Sequence, residues 1–285
     1  MDNVLLQLDV DPDPSSFDRI VAHDAGAGQV LSYGGVTPSD VEGLVHGAMF
    51  TRGPEDLRHT AIFVGGSDVP KAEEIFGEVL DTFFEPLTVS VLLDPNGTNT
   101  TAAAALVKVI GELGTVEGKK ALVLAGTGAV GTRVCGILAE SGAEVILTGR
   151  NTSRAEEEAE GVRERYGGDV TGVASPGPGQ VGELLDDVQI LLATGPEGLQ
   201  LAEESDWADA PSLEVAGDVN AVPPYGLEGV DREDDGEERH GVVCFGAIGI
   251  GNFKMKLHHA AVRRLFETND AVLDAEAVYD LATTL

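Results

Sequence analysis

The stretch Ala121-Leu-Val-Leu-Ala-Gly-Thr-Gly-Ala-Val-Gly-Thr132 admits few structures. Ala121 to Ala125 is an apolar run of the length of a buried strand. Gly126, Gly128 and Gly131 follow in G-x-G-x-x-G spacing, and Val130, Val134, Ile137 and Leu138 then recur at helical intervals. A second apolar strand is expected at Ala143 to Leu147. In this strand–turn–helix–strand context the glycine spacing reads as a dinucleotide site. Gly126 permits the tight turn, Gly128 lets the backbone approach a pyrophosphate, and Gly131 lets helix and strand touch. The predicted cofactor contacts are therefore Gly126, Thr127, Gly128, Ala129, Val130 and Gly131, with the pyrophosphate at the positive end of the helix.

The chain of 285 residues is long enough for one large domain or two smaller ones. No apolar run is long enough to span a bilayer, and Met1-Asp2-Asn3 does not begin a signal peptide. Cys135 and Cys244 lie in apolar stretches without metal-ligand spacing, so reduced core cysteines, no metal site and a cytoplasmic protein are expected. Charge is the unusual quantity: 49 acids face 18 bases, a formal net charge of −31. Such a surface disfavours nucleic acid and anionic membrane as partners. The acids are spread along the chain rather than gathered in a tail, which predicts a halophilic protein whose self-repulsion is screened by salt.

Strands are expected at 3–10, 60–64 and 88–93, and helices at 17–22, 41–48, 69–84 and 102–113. Thr37-Pro38 has the form of a helix start. Strands alternating with helices predict a parallel sheet, and ligands favour the loops at its carboxyl ends. Beyond the glycine helix, strands are expected at 143–147, 169–174, 189–193, 213–219 and 242–248, and helices at 152–166, 181–188, 202–210, 253–266 and 274–282. The acidic run 231–240 reads as an exposed loop.

An NAD site commonly ends its second strand in an acid that holds the ribose 2′-hydroxyl. Here that position reads Thr148-Gly149-Arg150-Asn151-Thr152-Ser153-Arg154, with no acid and two arginines in a base-poor chain. Guanidinium forks and hydroxyl donors suit a 2′-phosphate, so NADP is the expected cofactor, held by Thr148, Gly149, Arg150 and Arg154. The alternative is an ordinary loop with a helix cap at Thr152 or Ser153. Thr194 and Gly195, then Asp218 and Asn220, end later strands and are expected on the nicotinamide side, with turn formation as the alternative. Gly246 and Ala247 allow either close approach to the nicotinamide or tight packing.

Several segments resemble the NADP-dependent methylene-tetrahydromethanopterin dehydrogenases. They are Asp94-Pro-Asn-Gly-Thr-Asn-Thr-Thr-Ala-Ala-Ala104, Val123 to Gly131, Asp218-Val-Asn-Ala-Val-Pro-Pro224 and Phe245-Gly-Ala-Ile-Gly-Ile-Gly-Asn-Phe-Lys-Met-Lys-Leu-His258. Tyr33 to Pro38, Thr51-Arg-Gly53 and Ala61 to Asp68 also look like that family. The resemblance implies an α/β fold: a smaller substrate domain at 1–115, a Rossmann-type NADP domain with a parallel sheet at 116–250, and C-terminal helices at 251–285 that complete the first domain. It also implies a homo-oligomer and a tetrahydropterin substrate, of the methanopterin or folate type.

In the implied reaction the methylene carbon between two pterin nitrogens gives a hydride to the nicotinamide, and those nitrogens stabilise the methenyl cation that remains. No general base is required, so positioning and exclusion of water carry the catalysis. The resemblance places Lys256 as the catalytic side chain at the pterin; Lys254, in the same glycine-flanked segment, and Asn96, Asn99, Thr100 and Thr101, in a hydroxyl- and amide-rich loop after a strand, are its expected further contacts. The bland readings are a solvent-reaching lysine and a capped turn. Other readings of the whole chain are a shikimate-type NADP dehydrogenase and a non-catalytic NADP-binding sensor.

Overall fold

The computed structural model describes residues 1–285. The chain forms two compact units, Met1–Thr100 with Met255–Leu285, and Thr101–Lys254. The resemblance implies breaks after 115 and 250; the compact units divide at 100 and 254.

The first unit is laid down as β1 (Val4–Asp9), α1 (Ser16–Asp24), β2 (Gln29–Tyr33), α2 (Pro38–Met49), β3 (Thr60–Gly65), α3 (Val69–Thr82), β4 (Ser90–Leu93) and the start of α4 (Thr98–Leu113). These four strands are parallel in the order β4-β3-β1-β2. Leu6, Leu8, Ile62, Val64, Val91 and Leu93 meet Val41, Val45, Ala72, Ile75 and Val79 in one core. Each valine, leucine and isoleucine among them contributes about 1.5–3 kcal/mol by leaving water. The helices start where their caps allow: Ser15 Oγ accepts from Asp18 N at 3.2 Å, and Asp68 Oδ1 from Lys71 N at 3.3 Å.

β2 was not expected. Its sequence, Gln-Val-Leu-Ser-Tyr, is half-exposed on one face and exposed on the other, because it is the edge strand and no second layer fully covers it. α4 begins at Thr98 rather than 102, since Asp94 supplies acceptors to the first amides of the turn.

The second unit continues with β5 (Lys120–Leu124), α5 (Ala129–Glu140), β6 (Glu144–Gly149), α6 (Thr152–Tyr166), β7 (Asp169–Ala174), β8 (Ile190–Ala193), α7 (Glu204–Trp207), β9 (Val215–Asp218), β10 (Asp235–Arg239), β11 (Val242–Phe245) and the start of α8 (Ala247–Arg264). Its sheet runs β10-β11-β9-β8-β5-β6-β7. All neighbours are parallel except β10, which is antiparallel to β11. Strand order reverses between β5 and β8, so the carboxyl ends of these two strands border the crevice where doubly wound sheets bind ligands. The fold is the expected α/β architecture with a Rossmann-type parallel sheet.

Several expectations about elements are corrected: the helix expected at 181–188 is a single 3-10 turn, Val181–Leu184, that at 202–210 shrinks to α7, and that at 253–266 starts earlier, at Ala247. Residues 235–239 are a strand, not loop: an edge strand satisfies its backbone from one side while its charged side chains stay in water. The strand expected over 242–248 stops at Phe245, because Gly246 turns the chain into α8. The chain ends with β12 (Val272–Leu273) and α9 (Ala275–Thr283). β12 pairs in parallel with β4 at the other edge of the first sheet.

Candidate functional site

In the second unit, β5 ends at Leu124 and the next residue, Ala125, sits at φ 54°. An alanine in this left-handed region costs about 1–2 kcal/mol. Two threonines hold it. Thr148 Oγ1 accepts from Ala125 N at 3.0 Å, and Thr194 Oγ1 donates to Leu124 O at 3.0 Å. Nothing local in the sequence marks an alanine for positive φ.

The three glycines then separate by what surrounds them. A Cβ on Gly131 would lie 2.5 Å from Gly126 Cα, and one on Gly126 would lie 2.8 Å from Leu147 Cγ and 3.1 Å from Val123 O. Both are required by the packing of α5 on β5 and β6. A Cβ on Gly128 would meet nothing nearer than Ala125 O at 3.5 Å, an ordinary contact. The protein itself does not need glycine there, and the open space at the amino end of α5 suits a phosphate approaching the backbone. Thr127, Ala129 and Val130 are half-buried around it.

Gly149 ends β6 against Thr127, whose Cγ2 would lie 2.7 Å from a Cβ. Arg150 and Arg154 are both exposed, and Arg154 reaches Glu158 only at 4.0 Å. The cap of α6 is Asn151, whose Oδ1 accepts from Arg154 N at 2.9 Å; Thr152 and Ser153 do not serve. The acid typical of a 2′-hydroxyl site is absent from this strand end.

The carboxyl ends of β5, β8 and β9 stand side by side, with Leu124 opposite Ala193 and Ala193 opposite Asp218. Several expected cofactor residues here turn toward their own backbone. Asp218 is buried and accepts from Asn220 N at 2.9 Å and Leu227 N at 3.0 Å. Burial pushes its carboxyl up to about 6, against the pull of these N–H groups. Asn220 donates from Nδ2 to Pro224 O at 3.1 Å and accepts from Val222 N at 2.9 Å. Gly195 packs under Leu201, whose Cδ1 would lie 2.8 Å from a Cβ. Gly246 lies against the 231–234 turn, 2.0 Å from Asp231 O to a Cβ, and its N donates to Asp234 O at 2.8 Å. Ala247 is half-buried at the start of α8.

In the first unit, the loop after β4 is organised by Asp94. Its Oδ1 accepts from Asn99 N at 2.9 Å and Thr100 N at 3.1 Å, and its Oδ2 from Thr100 Oγ1 at 2.6 Å. Asn99 Nδ2 donates to Leu93 O at 2.6 Å. Asp94, Asn99 and Thr100 are buried, while Asn96 is exposed at φ 52°. Lys256 is exposed on α8, and its Nζ donates to Leu285 O at 2.6 Å. In the second unit Thr101 and Lys254 are half-buried. His258, next to the lysines, is buried in the first unit, stacked on Phe63 with ring centroids 6.0 Å apart.

Residues 16–96 match the family model described as methylene-tetrahydromethanopterin dehydrogenase, N-terminal. The chain is also 32% identical over 280 residues to a Methylorubrum extorquens protein named NAD(P)-dependent methylenetetrahydromethanopterin dehydrogenase, covering 95% of this chain and 94% of that one. The chain belongs to the methylene-tetrahydromethanopterin dehydrogenase family. A second Methylorubrum extorquens protein, named Bifunctional protein MdtA, is 43% identical over 98% of this chain and 97% of its own length. Among solved structures, shikimate 5-dehydrogenase from Listeria monocytogenes superposes with a TM-score of 0.54 at 15% identity, covering 98% of this chain and 96% of that one. At that identity the likeness is one of fold, and family membership comes from the sequence relatives.

Proposed function

We propose that this member of the family transfers a hydride from the methylene carbon of a methylene-tetrahydropterin, of the tetrahydromethanopterin type, to NADP. The observation that carries the reading is the 32% identity, over 95% of this chain, to a relative named NAD(P)-dependent methylenetetrahydromethanopterin dehydrogenase. The open backbone at Gly128, at the amino end of α5, supports a bound dinucleotide. When bound, NADP supplies the hydride acceptor. The chain's own part is to hold and orient: amides of 128–130 for the pyrophosphate, and Arg150 and Arg154 for the 2′-phosphate. Thr148 and Thr194 brace the turn from behind, and Gly195, Asp218, Asn220, Gly246 and Ala247 shape the adjoining loops.

For the pterin, Lys256 and Lys254 on α8 and the loop 94–101 are assigned. Asn99 and Thr100 fix that loop through Asp94, leaving Asn96 outward and Thr101 in the next turn. No observation favours a shikimate-type substrate or a sensor. No helix is long and apolar enough to cross a membrane. A cytoplasmic, salt-adapted homo-oligomer accords with the charge and the family.

The deciding assay is NADPH formation in molar salt from methylene-tetrahydromethanopterin and, separately, from methylene-tetrahydrofolate. Absence of turnover with both carriers would remove the reading. Replacing both Arg150 and Arg154 by alanine should raise the KM for NADP about 10–100-fold while leaving that for NAD nearly unchanged. Equal effects on both nucleotides would separate the arginines from the 2′-phosphate. Lys256→Ala should lower kcat about 10–100-fold with NADP affinity retained. Parental kinetics in that variant would take Lys256 out of the pterin site.

A further inference from the structure

The loops that follow β8 and β9 turn apolar side chains toward water in a chain whose surface is otherwise heavily charged. Of its 49 acids, residues 219–227 hold none and residues 194–202 hold one, Glu197, and neither segment holds a base. Leu199 and Val222 are 46% and 41% exposed, and Pro196, Ala221, Pro223 and Pro224, their neighbours in sequence, are exposed as well. A single exposed leucine needs no explanation, but a contiguous apolar patch marks a contact.

The two loops form one braced structure. Gly198 N donates to Val222 O at 3.2 Å, and Leu201 N and Ala202 N both donate to Gly226 O, at 2.8 and 3.1 Å. Gly226 has to be glycine for that approach, since a Cβ there would lie 2.8 Å from Asp218 Oδ1 and 3.0 Å from Ala193 Cβ. The polar side chains of the second loop are spent on its own backbone. Asp218 accepts from Asn220 N and Leu227 N, while Asn220 accepts from Val222 N and donates to Pro224 O. The loop is thus tied at both ends and in the middle, and its outward groups are apolar.

Position says what could cover them. Both loops leave directly from the carboxyl ends of β8 and β9, on the other side of the strand-order reversal from β6 and its arginines. A dinucleotide with its pyrophosphate at α5 and its 2′-phosphate at Arg150 and Arg154 extends its reacting ring toward these two strands.

We propose that Leu199 and Val222 form an apolar wall beside the reacting end of the cofactor, against which the ring system of the tetrahydropterin packs during hydride transfer. The wall rests on the function proposed above and adds two apolar substrate contacts to the polar ones assigned there. Hydride transfer needs donor carbon and acceptor ring about 3–3.5 Å apart and aligned, and a rigid apolar surface fixes a ring without competing for its polar edges. The methenyl cation that remains is open to attack by water, which leucine and valine side chains keep away. Charge favours the same occupant: a basic partner would find one acid here, and an anionic one no base.

Steady-state kinetics in molar salt, with calorimetric titration of NADP, test the wall. Val222→Asp and Leu199→Asp should each raise the KM for the tetrahydropterin about 10–100-fold, because a carboxylate would be buried under the ring. Their affinity for NADP should match the parent's, and Val222→Leu should keep the parental KM. If the aspartate variants melt early, Val222→Cys gives the reading, the native Cys135 and Cys244 being buried. Its alkylation should slow several-fold when the methylene-free tetrahydropterin is added to the NADP-loaded protein. A parent without turnover on either carrier would remove the proposed function and the wall with it. A parent that turns over, beside aspartate variants with its own pterin KM, would remove the wall alone. So would alkylation at 222 that ignores the pterin, or that slows with protein concentration in the absence of ligand.

Discussion

Gly128→Ala should melt like the parent and bind NADP about 100-fold more weakly, roughly 2.7 kcal/mol. The added methyl has 3.5 Å of clearance to its nearest neighbour, Ala125 O, and Gly128 sits at φ −83°, which alanine adopts freely. The fold therefore does not register the change. The methyl instead takes the space through which a pyrophosphate would approach the amides of α5. Gly131→Ala is the informative contrast. Its methyl would lie 2.5 Å from Gly126 Cα and 2.6 Å from Gly126 O, so α5 must lift from β5. That overpacking costs about 1–3 kcal/mol or more, or roughly 2–4 °C of melting temperature per kcal/mol. Calorimetric titration with NADP and thermal melts of both variants make the comparison. Parental NADP affinity in Gly128→Ala would take the glycine loop out of the cofactor site.

Removing salt should destabilise the protein by several degrees or more, whatever its ligand. The 49 acids outnumber the 18 bases, and much of the acid lies on exposed surfaces. Helix α6 places Glu156, Glu157, Glu158, Glu160 and Glu164 within about three turns, with Arg163 engaging Glu156 and Glu160. Such surface pairs each contribute only about 0–1 kcal/mol and do not offset the sum of like-charge repulsion. The Debye length shortens from about 10 Å at 0.1 M to about 3 Å at 1 M, so molar salt confines that repulsion to near neighbours. A loss of about 3 kcal/mol on dilution to 0.1 M would lower the melting temperature by roughly 6–12 °C. Melts across that range with a non-binding salt check it, and a midpoint independent of salt would contradict the screening argument.

Much of the second unit was legible because its signals are local. Ala121 to Leu124 is a fully buried strand, and an uninterrupted apolar run says so without knowledge of its neighbours. Gly126 and Gly131 announce a close crossing by their spacing alone. Two of the edge strands were harder. β2 alternates only between exposed and half-exposed, and β10 is almost wholly charged, because one side of each strand pairs with the sheet while its side chains keep water. Hydrophobic periodicity carries little of that.

The hydroxyl- and amide-rich loops show a different gap. Asp94, Asn99 and Thr100 have the composition of a ligand-binding loop and also that of a capped turn. Distances of 2.6–3.1 Å among them show that they spend their hydrogen bonds on the chain itself. The same holds for Asp218 and Asn220, whose partners are amides and a carbonyl between 220 and 227.

What the sequence determined by itself was the alternation of strands and helices, the glycine turn, the missing acid beyond β6 and the charge of the surface, since each is a property of neighbouring residues or of composition. Only the tertiary structure decided that Gly131 is needed by the fold while Gly128 is not, that Thr148 and Thr194 serve the backbone of Ala125, and that an uncharged strand lies on an open edge. The reason is physical: glycine, threonine and asparagine suit a turn and a ligand equally well, and the atoms that decide between them come from residues far away in the chain.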